Sequence, residues 1–219
     1  MATRINKYLS EVGYCSRREA DRLILEGKVT INGKIPEIGT KVEDSDQVEV
    51  KGQRIEKSKR KKNIYLAFNK PVGVVCTTDT KVEPNNVIDF IKYPKRIFPI
   101  GRLDKLSEGL IFLTNDGDIV NKILRSRNNH EKEYIVKVNR PINNDFILSM
   151  SNGVEISDTI TKNCFVKQLG PRKFKIILTQ GLNRQIRRMC EVLGYRVRSL
   201  KRVRTVSYTH LTLPTSQYV

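Results

Sequence analysis

Apolar residues Ile5, Leu9 and Val12 recur at the spacing of one helical face, and Gly13 follows them as a stop signal. Ser16 with Glu19 three residues later has the form of a capping box. Ala20, Leu23, Ile24 and Leu25 then supply the apolar side of a second helix that ends near Gly27. Val29-Thr30-Ile31 reads as a short strand, Asn32-Gly33 as a tight turn, and Val48 and Val50 as a return strand. This helix–helix–hairpin unit is too small to bury much core on its own.

After residue 62 the pattern changes. Ile64 to Val75 reads as strand, turn and strand, with Pro71 and Gly73 punctuating the turn Asn69-Lys70-Pro71-Val72-Gly73. Val87 to Ile91 predicts a short helix and Leu110-Ile111-Phe112-Leu113-Thr114 a strand, closed by the turn Asn115-Asp116-Gly117. Val120, Ile123 and Leu124 form one side of a helix. Tyr134-Ile135-Val136-Lys137-Val138 alternates like a half-buried strand. A helix is expected over Phe146 to Met150 and a strand over Phe174 to Leu178. Arg184 to Leu193 predicts a helix with Ile186, Met189, Cys190 and Leu193 turned inward. Interspersed strands and helices with hairpin-like turns predict a mixed α+β fold: a small N-terminal α/β module, then a domain with a largely antiparallel sheet. No Gly-rich dinucleotide fingerprint or P-loop is present.

Charge sharpens this picture. The 219 residues hold 41 Lys+Arg against 23 Asp+Glu, a net charge of +18. The stretch 172–204 holds 11 basic residues and one acid, Glu191, a net of +10. So dense a surplus calls for a polyanionic partner, and nucleic acid and an anionic membrane are the physical choices. No apolar run reaches the roughly 18 residues of a membrane span, and no long helix with aromatic anchors suits a membrane surface. The first residues lack the apolar stretch of a secretory signal, so a cytoplasmic protein is expected. The basic run Lys57-Ser58-Lys59-Arg60-Lys61-Lys62 has nothing to bury and reads as a linker, either a solvated hinge or a phosphate contact. The expected organisation is therefore 1–56, a linker at 57–62, a main domain over 63–204 and a tail at 205–219. The tail, uncharged directly after the most basic stretch, reads as non-native sequence.

Four scattered cysteines (15, 76, 164 and 190) and two lone histidines (130 and 210) predict neither a zinc site nor a His-based triad. Any catalysis should rest on carboxylate, Tyr, Lys or Arg. Three clusters qualify, and spacing alone leaves two readings for each. Asp104, in Gly101-Arg102-Leu103-Asp104-Lys105, is either a turn residue or a carboxylate kept ionised by its cationic neighbours. Tyr134, in Glu131-Lys132-Glu133-Tyr134, is a strand packing residue or a site residue. Asn183-Arg184-Gln185-Ile186-Arg187-Arg188-Met189 is an ordinary basic helix or one whose start holds an anion, because cations there oppose the helix dipole.

Two family resemblances resolve these choices. Arg4-Ile5-Asn6-Lys7-Tyr8-Leu9, Ser16-Arg17-Arg18-Glu19-Ala20-Asp21 and Gly27-Lys28-Val29-Thr30-Ile31-Asn32-Gly33 resemble the S4 RNA-binding domain. That likeness implies RNA contacts from Arg4, Lys7, Arg17, Arg18 and Arg22. The three main-domain clusters, in this order and with Ser107-Glu108-Gly109-Leu110, resemble the S4-bearing RNA pseudouridine synthases that modify rRNA, and look most like the F-type large-subunit branch. The resemblance covers residues 1 to about 204. It implies that Asp104 is the nucleophile, that Tyr134 stacks on the target base and assists proton removal, and that Arg187 pairs with the aspartate. Arg184 shares that role or holds phosphate, and Arg102, Lys105, Gln185 and Arg188 join the RNA grip. The implied reaction breaks the uridine C1′–N1 bond, turns the base and rejoins it through C5, on a nucleotide flipped out of the RNA. It needs no cofactor and no metal. The implied partner is RNA, 23S rRNA foremost with tRNA as a second substrate, and the expected state is a monomer without a membrane partner. The competing reading is an inactive S4-type RNA-binding protein serving ribosome assembly.

Overall fold

The computed structural model describes residues 2–56, 63–80, 82–124, 130–205 and 208–209. The linker expected at 57–62 and most of the 205–219 tail lie outside the described residues. The chain divides into two compact units.

The first unit comprises Met1–Ile64 with Pro94–Arg96 and Asn115–Gly117. Its elements are β1 (Thr3–Arg4), α1 (Ile5–Glu11), α2 (Arg17–Leu25), β2 (Val29–Ile31), β3 (Lys41–Val42), β4 (Val48–Val50) and β5 (Gln53–Ile55). The Ser16 hydroxyl caps α2 by accepting the Glu19 N–H at 3.1 Å, as the capping box predicts. Asn32 and Gly33 both have positive φ, 50° and 78°, and the flanking Ile31 and Lys34 exchange both backbone hydrogen bonds. That is the hairpin turn expected from an Asn-Gly pair. Ile5, Leu9, Ala20, Leu23, Ile24, Val29, Val48 and Val50 share one small core. Leu25, expected on the apolar side, is instead 75% exposed. It falls at i+7 from Arg18, so it lies on the outer face with Arg18 and Arg22.

The second unit comprises Tyr65–Tyr93, Ile97–Thr114 and Asp118–Val219. In chain order it holds β6 (Tyr65–Lys70), α3 (Val87–Ile91), β7 (Phe98–Ile100), β8 (Glu108–Thr114), α4 (Gly117–Leu124), β9 (Lys132–Val138) and α5 (Asn144–Asn152). There follow β10 (Glu155–Ile156), β11 (Thr159–Ile160), β12 (Phe165–Gly170), β13 (Lys173–Leu178), α6 (Gln185–Val192), β14 (Val197–Thr205) and β15 (Tyr208–Thr209). The main sheet runs β12-β13-β9-β14-β8-β6, with β7 on β8 and β15 on β14. Its pairings are antiparallel except for β14 beside β8, which is parallel. Phe146 and Met150 of α5 and Ile186, Met189 and Cys190 of α6 bury against Val136, Phe174, Ile176 and Leu200 of the sheet. The alternation in β9 and β13 predicts this half-buried placement.

Beside Leu25, one expected strand is absent and one observed strand was not expected. The strand expected to return through Val75 does not form, and Val75 makes only an isolated bridge to Asn86. β14 was not expected at all. Its apolar residues Val197, Leu200 and Val203 recur every three positions, which is no strand period. Register shifts between Val197 and Ser199 and between Arg202 and Arg204 account for that spacing, since each breaks the two-residue alternation.

Candidate active site

The site lies within the second unit, where the segment entering β8 meets β14, β9 and α6. Asp104 sits half-buried in a turn whose carbonyl accepts the Ser107 N–H at 2.9 Å. The turn is held from α6. Arg187, only 7% exposed, donates from Nη2 to the Leu106 carbonyl at 2.7 Å and to the Ser107 hydroxyl at 3.3 Å. Burial pulls the Arg187 pKa down, and the charge of Asp104 is the largest influence restoring it. A guanidinium with no direct acid partner would be costly at this depth, so these two bonds and the nearby carboxylate together make it tolerable. The direct ion pair expected between Arg187 and Asp104 is not formed within 4.0 Å. Arg187 instead holds Asp104 through Leu106 and Ser107, farther along the same turn.

Arg184 does not take that place. It occupies the N-cap position of α6 in the left-handed conformation, φ 50°, without a capping side-chain bond, and its guanidinium lies 3.8 Å from Glu191. Gln185 requires a correction: it is 4% exposed and cannot grip RNA from the surface. Its Oε1 accepts the Leu182 N–H at 3.1 Å and its Nε2 donates to Gln180 at 3.4 Å, so it fastens the turn that starts α6. Arg188 bonds Ser157 at 3.0 Å and Asn183 at 3.2 Å. Lys105 pairs with Glu83 at 3.0 Å, while Arg102 is exposed.

Strand register places the remaining groups. Gly109, Arg202 and Tyr134 form one row across β8, β14 and β9. Tyr134 is partly buried against the apolar core. Gly109 is forced by the close approach of β14: with φ +108°, a Cβ there would lie 2.2 Å from the Arg202 carbonyl oxygen. Arg202 is 4% exposed and donates from Nε to the Leu110 carbonyl at 2.7 Å.

Lys70, not among the residues expected at the site, is fully buried. Its ammonium donates to the carbonyls of Pro71 at 2.7 Å and Val74 at 2.8 Å. Burial lowers its pKa, and Cys76, Asp104 and Glu108 act in the opposite sense. The signal available was a lysine ending an apolar strand directly before proline. Cys76 accepts the Leu103 N–H at 3.4 Å, one residue ahead of Asp104. Among the described residues, no group of three His, Cys, Asp or Glu side chains is placed to hold a metal ion.

In the first unit Arg4, Arg17, Arg18 and Arg22 are exposed and Lys7 is half-buried. Arg22 is engaged by Glu19 and Glu26 along α2, and Lys7 by Glu11 at 3.3 Å. Arg17 and Arg18 make no ion pair among the described residues.

Comparison with known proteins agrees with this architecture. Residues 64–192 match the RNA pseudouridylate synthase family and residues 3–48 the S4 domain. The chain is 54% identical to the dual-specificity RNA pseudouridine synthase RluF of Escherichia coli K12, over 99% of this chain and 74% of that protein. It is 38% identical to the ribosomal large subunit pseudouridine synthase B of Bacillus subtilis, over 91% and 84%. Among solved structures, a pseudouridylate synthase crystal structure superposes with a TM-score of 0.67 at 25% identity, covering 94% of this chain and 90% of that one.

Proposed function

The chain belongs to the RNA pseudouridylate synthase family and isomerises uridine in RNA, and from that premise we propose that Asp104 is its nucleophile. The observation that carries this reading is the buried Arg187, which fixes the turn bearing Asp104 from two points and adds a positive charge beside it. Asp104 attacks C1′ of the target nucleotide, and the C1′–N1 bond breaks. The freed uracil turns against Tyr134, and C5 then displaces the aspartate from C1′. Tyr134 stacks on the ring and helps the C5 proton leave. The flipped nucleotide gives the half-buried Asp104 access to a carbon that base stacking would otherwise hide.

On this reading Arg17 and Arg18 grip phosphate, with Arg4, Lys7, Arg22, Arg102, Lys105, Arg184 and Arg188 as the wider basic surface. The substrate is 23S rRNA with tRNA as a second substrate, as the "dual-specificity" of the named relatives suggests, and the protein works as a cytoplasmic monomer. Asp104→Asn tests the assignment. The variant should bind RNA like the parent and form no pseudouridine in rRNA or tRNA from cells lacking the gene. Turnover by the Asn variant would remove Asp104 from the nucleophile's role.

A further inference from the structure

Arg202 is buried on the same strand row as Tyr134 and yet is not spent on the fold. Its Nε bonds the Leu110 carbonyl, and its two terminal nitrogens make no hydrogen bond among the described residues. Every fully occluded side-chain nitrogen or oxygen among the described residues does have a partner. The two terminal nitrogens therefore reach an opening, although the residue as a whole is only 4% exposed. Paired residues on adjacent strands point to the same face, so Arg202 and Tyr134 stand side by side. Lys132, two residues before Tyr134 on β9, shares that face.

Lys132 is a second cation held close by. Burial and the charge of Arg202 both lower its pKa. The only bond of its ammonium among the described residues is a long one, 3.4 Å, to the His130 carbonyl. Two partly desolvated cations repel each other, and no carboxylate pairs with either among the described residues. Nearby Glu131 and Glu133 are taken by Arg204, at 2.8 and 3.2 Å. A buried guanidinium that keeps both terminal nitrogens open beside a like charge is arranged for an anion that arrives with the substrate.

We propose that Arg202, with Lys132 on the same face, is a catalytic cation that binds the carbonyl edge of the detached uracil and stabilises its negative charge. The proposal rests on the Asp104–Tyr134 site described above. As the C1′–N1 bond breaks, its electron pair stays on N1 and spreads over the two ring carbonyl oxygens. The open donors of Arg202 meet that charge in a dry setting, where it is worth most. When C5 bonds to C1′, the pair is drawn back, Asp104 leaves as carboxylate, C5 loses its proton and N1 gains one. The depth of Arg202 favours the base over a backbone phosphate, because the base is the part of the nucleotide that enters the pocket.

The test is the single-turnover rate of C1′–N1 cleavage by Arg202→Met and Arg202→Lys on RNA carrying uridine or 5-fluorouridine at the target, because a C5 fluorine leaves no proton to lose and the rearranged base stops at that stage. Fluorine withdraws electrons and makes the uracil anion easier to form. Arg202→Met should lower the rate on uridine by about 100-fold or more, the range seen when one charge-stabilising donor is removed. Its penalty should be several-fold smaller on 5-fluorouridine. RNA affinity and its salt dependence should stay at the parent's values. Arg202→Lys keeps a cation and should fall between the two. If Arg202→Met does not fold, the Lys variant carries the same comparison of substrates.

Equal penalties on both substrates would reduce Arg202 to a strap between β14 and β8. A salt slope smaller by about 0.7–0.9 would make its ligand a phosphate instead. Either result overturns the proposal. Asp104→Asn, run alongside, reports separately on the underlying site: turnover there would defeat the nucleophile, whatever Arg202 does.

Discussion

Replacing Gly109 by alanine adds one methyl group at the point where β8 and β14 run parallel. The added Cβ would lie 2.2 Å from the Arg202 carbonyl oxygen and 2.8 Å from its nitrogen. Both are backbone atoms, so no side chain can swing away. The position also holds φ +108°, which residues with a side chain rarely adopt. Backbone strain of this kind costs about 1–3 kcal/mol, and overpacking about 1–3 kcal/mol more. A central value of about 4 kcal/mol would lower the melting temperature by roughly 8–16 °C for a unit of this size. Differential scanning calorimetry measures it directly. Gly117→Ala is the control, because a Cβ there meets nothing within 4 Å and that glycine opens α4. The control should melt within about 2 °C of the parent, given how small surface effects are. Gly109→Ala should also lose turnover in its folded fraction, since the displaced strand carries Arg202. A Gly109→Ala protein melting alongside the control would show that β8 and β14 pack slackly, and the register argument for the site would fail.

Three further outcomes follow from the structure. Burial pushes the thiol of Cys190 up to about 12 and those of Cys15 and Cys164 up to about 11, from an ordinary value of 9.0. At pH 8 the native thiolate fraction of Cys190 is then on the order of one part in ten thousand, so iodoacetamide should label it only after unfolding; rapid native labelling would contradict its burial. Because the folded protein keeps these protons longer than the unfolded chain, stability should be unaffected below about pH 9 and fall as pH rises from there towards 11–12; a denaturation midpoint that rises across that range would contradict it. Arg17→Ala with Arg18→Ala should weaken binding to structured RNA and lower its salt slope by about 0.7–0.9 for each phosphate that is no longer neutralised. An unchanged slope would assign the outer face of α2 to a protein partner.

Much of the fold was legible because local signals and packing agree. Val29–Ile31 and Val87–Ile91 form the elements that their sequences predict, and Ser16 caps the helix it announces. β14 was hidden because its bulges turn a strand's alternation into a three-residue spacing, and because Arg198, Lys201, Arg202 and Arg204 read as surface charge. Arg202 is a buried cation bonded to Leu110, far away in sequence, and no local pattern reports that; Lys70 is bonded by the turn that follows it, and only its place before Pro71 hinted at burial. Arg187 stood out in the sequence as a candidate, but its hold on the turn of Asp104 passes through Leu106 and Ser107 rather than through a direct pair. Gln185 was misread for the opposite reason: a polar residue inside a basic run looks like a surface group until the turn closes over it.

The position of β14 in the sheet also sets a schedule. This strand joins β12-β13-β9 on one side to β8-β6 on the other, yet it is translated after all of them. Until residues 197–205 emerge from the ribosome, β9 and β8 are unjoined edges and the row holding Tyr134 has a gap. Synthesis at about 5–20 residues per second leaves several seconds between completion of β9 and arrival of β14. Throughout that interval the nascent chain already displays its S4 helices and their arginines. β14 is thus the strand that completes the row carrying Tyr134, after the first unit has been made.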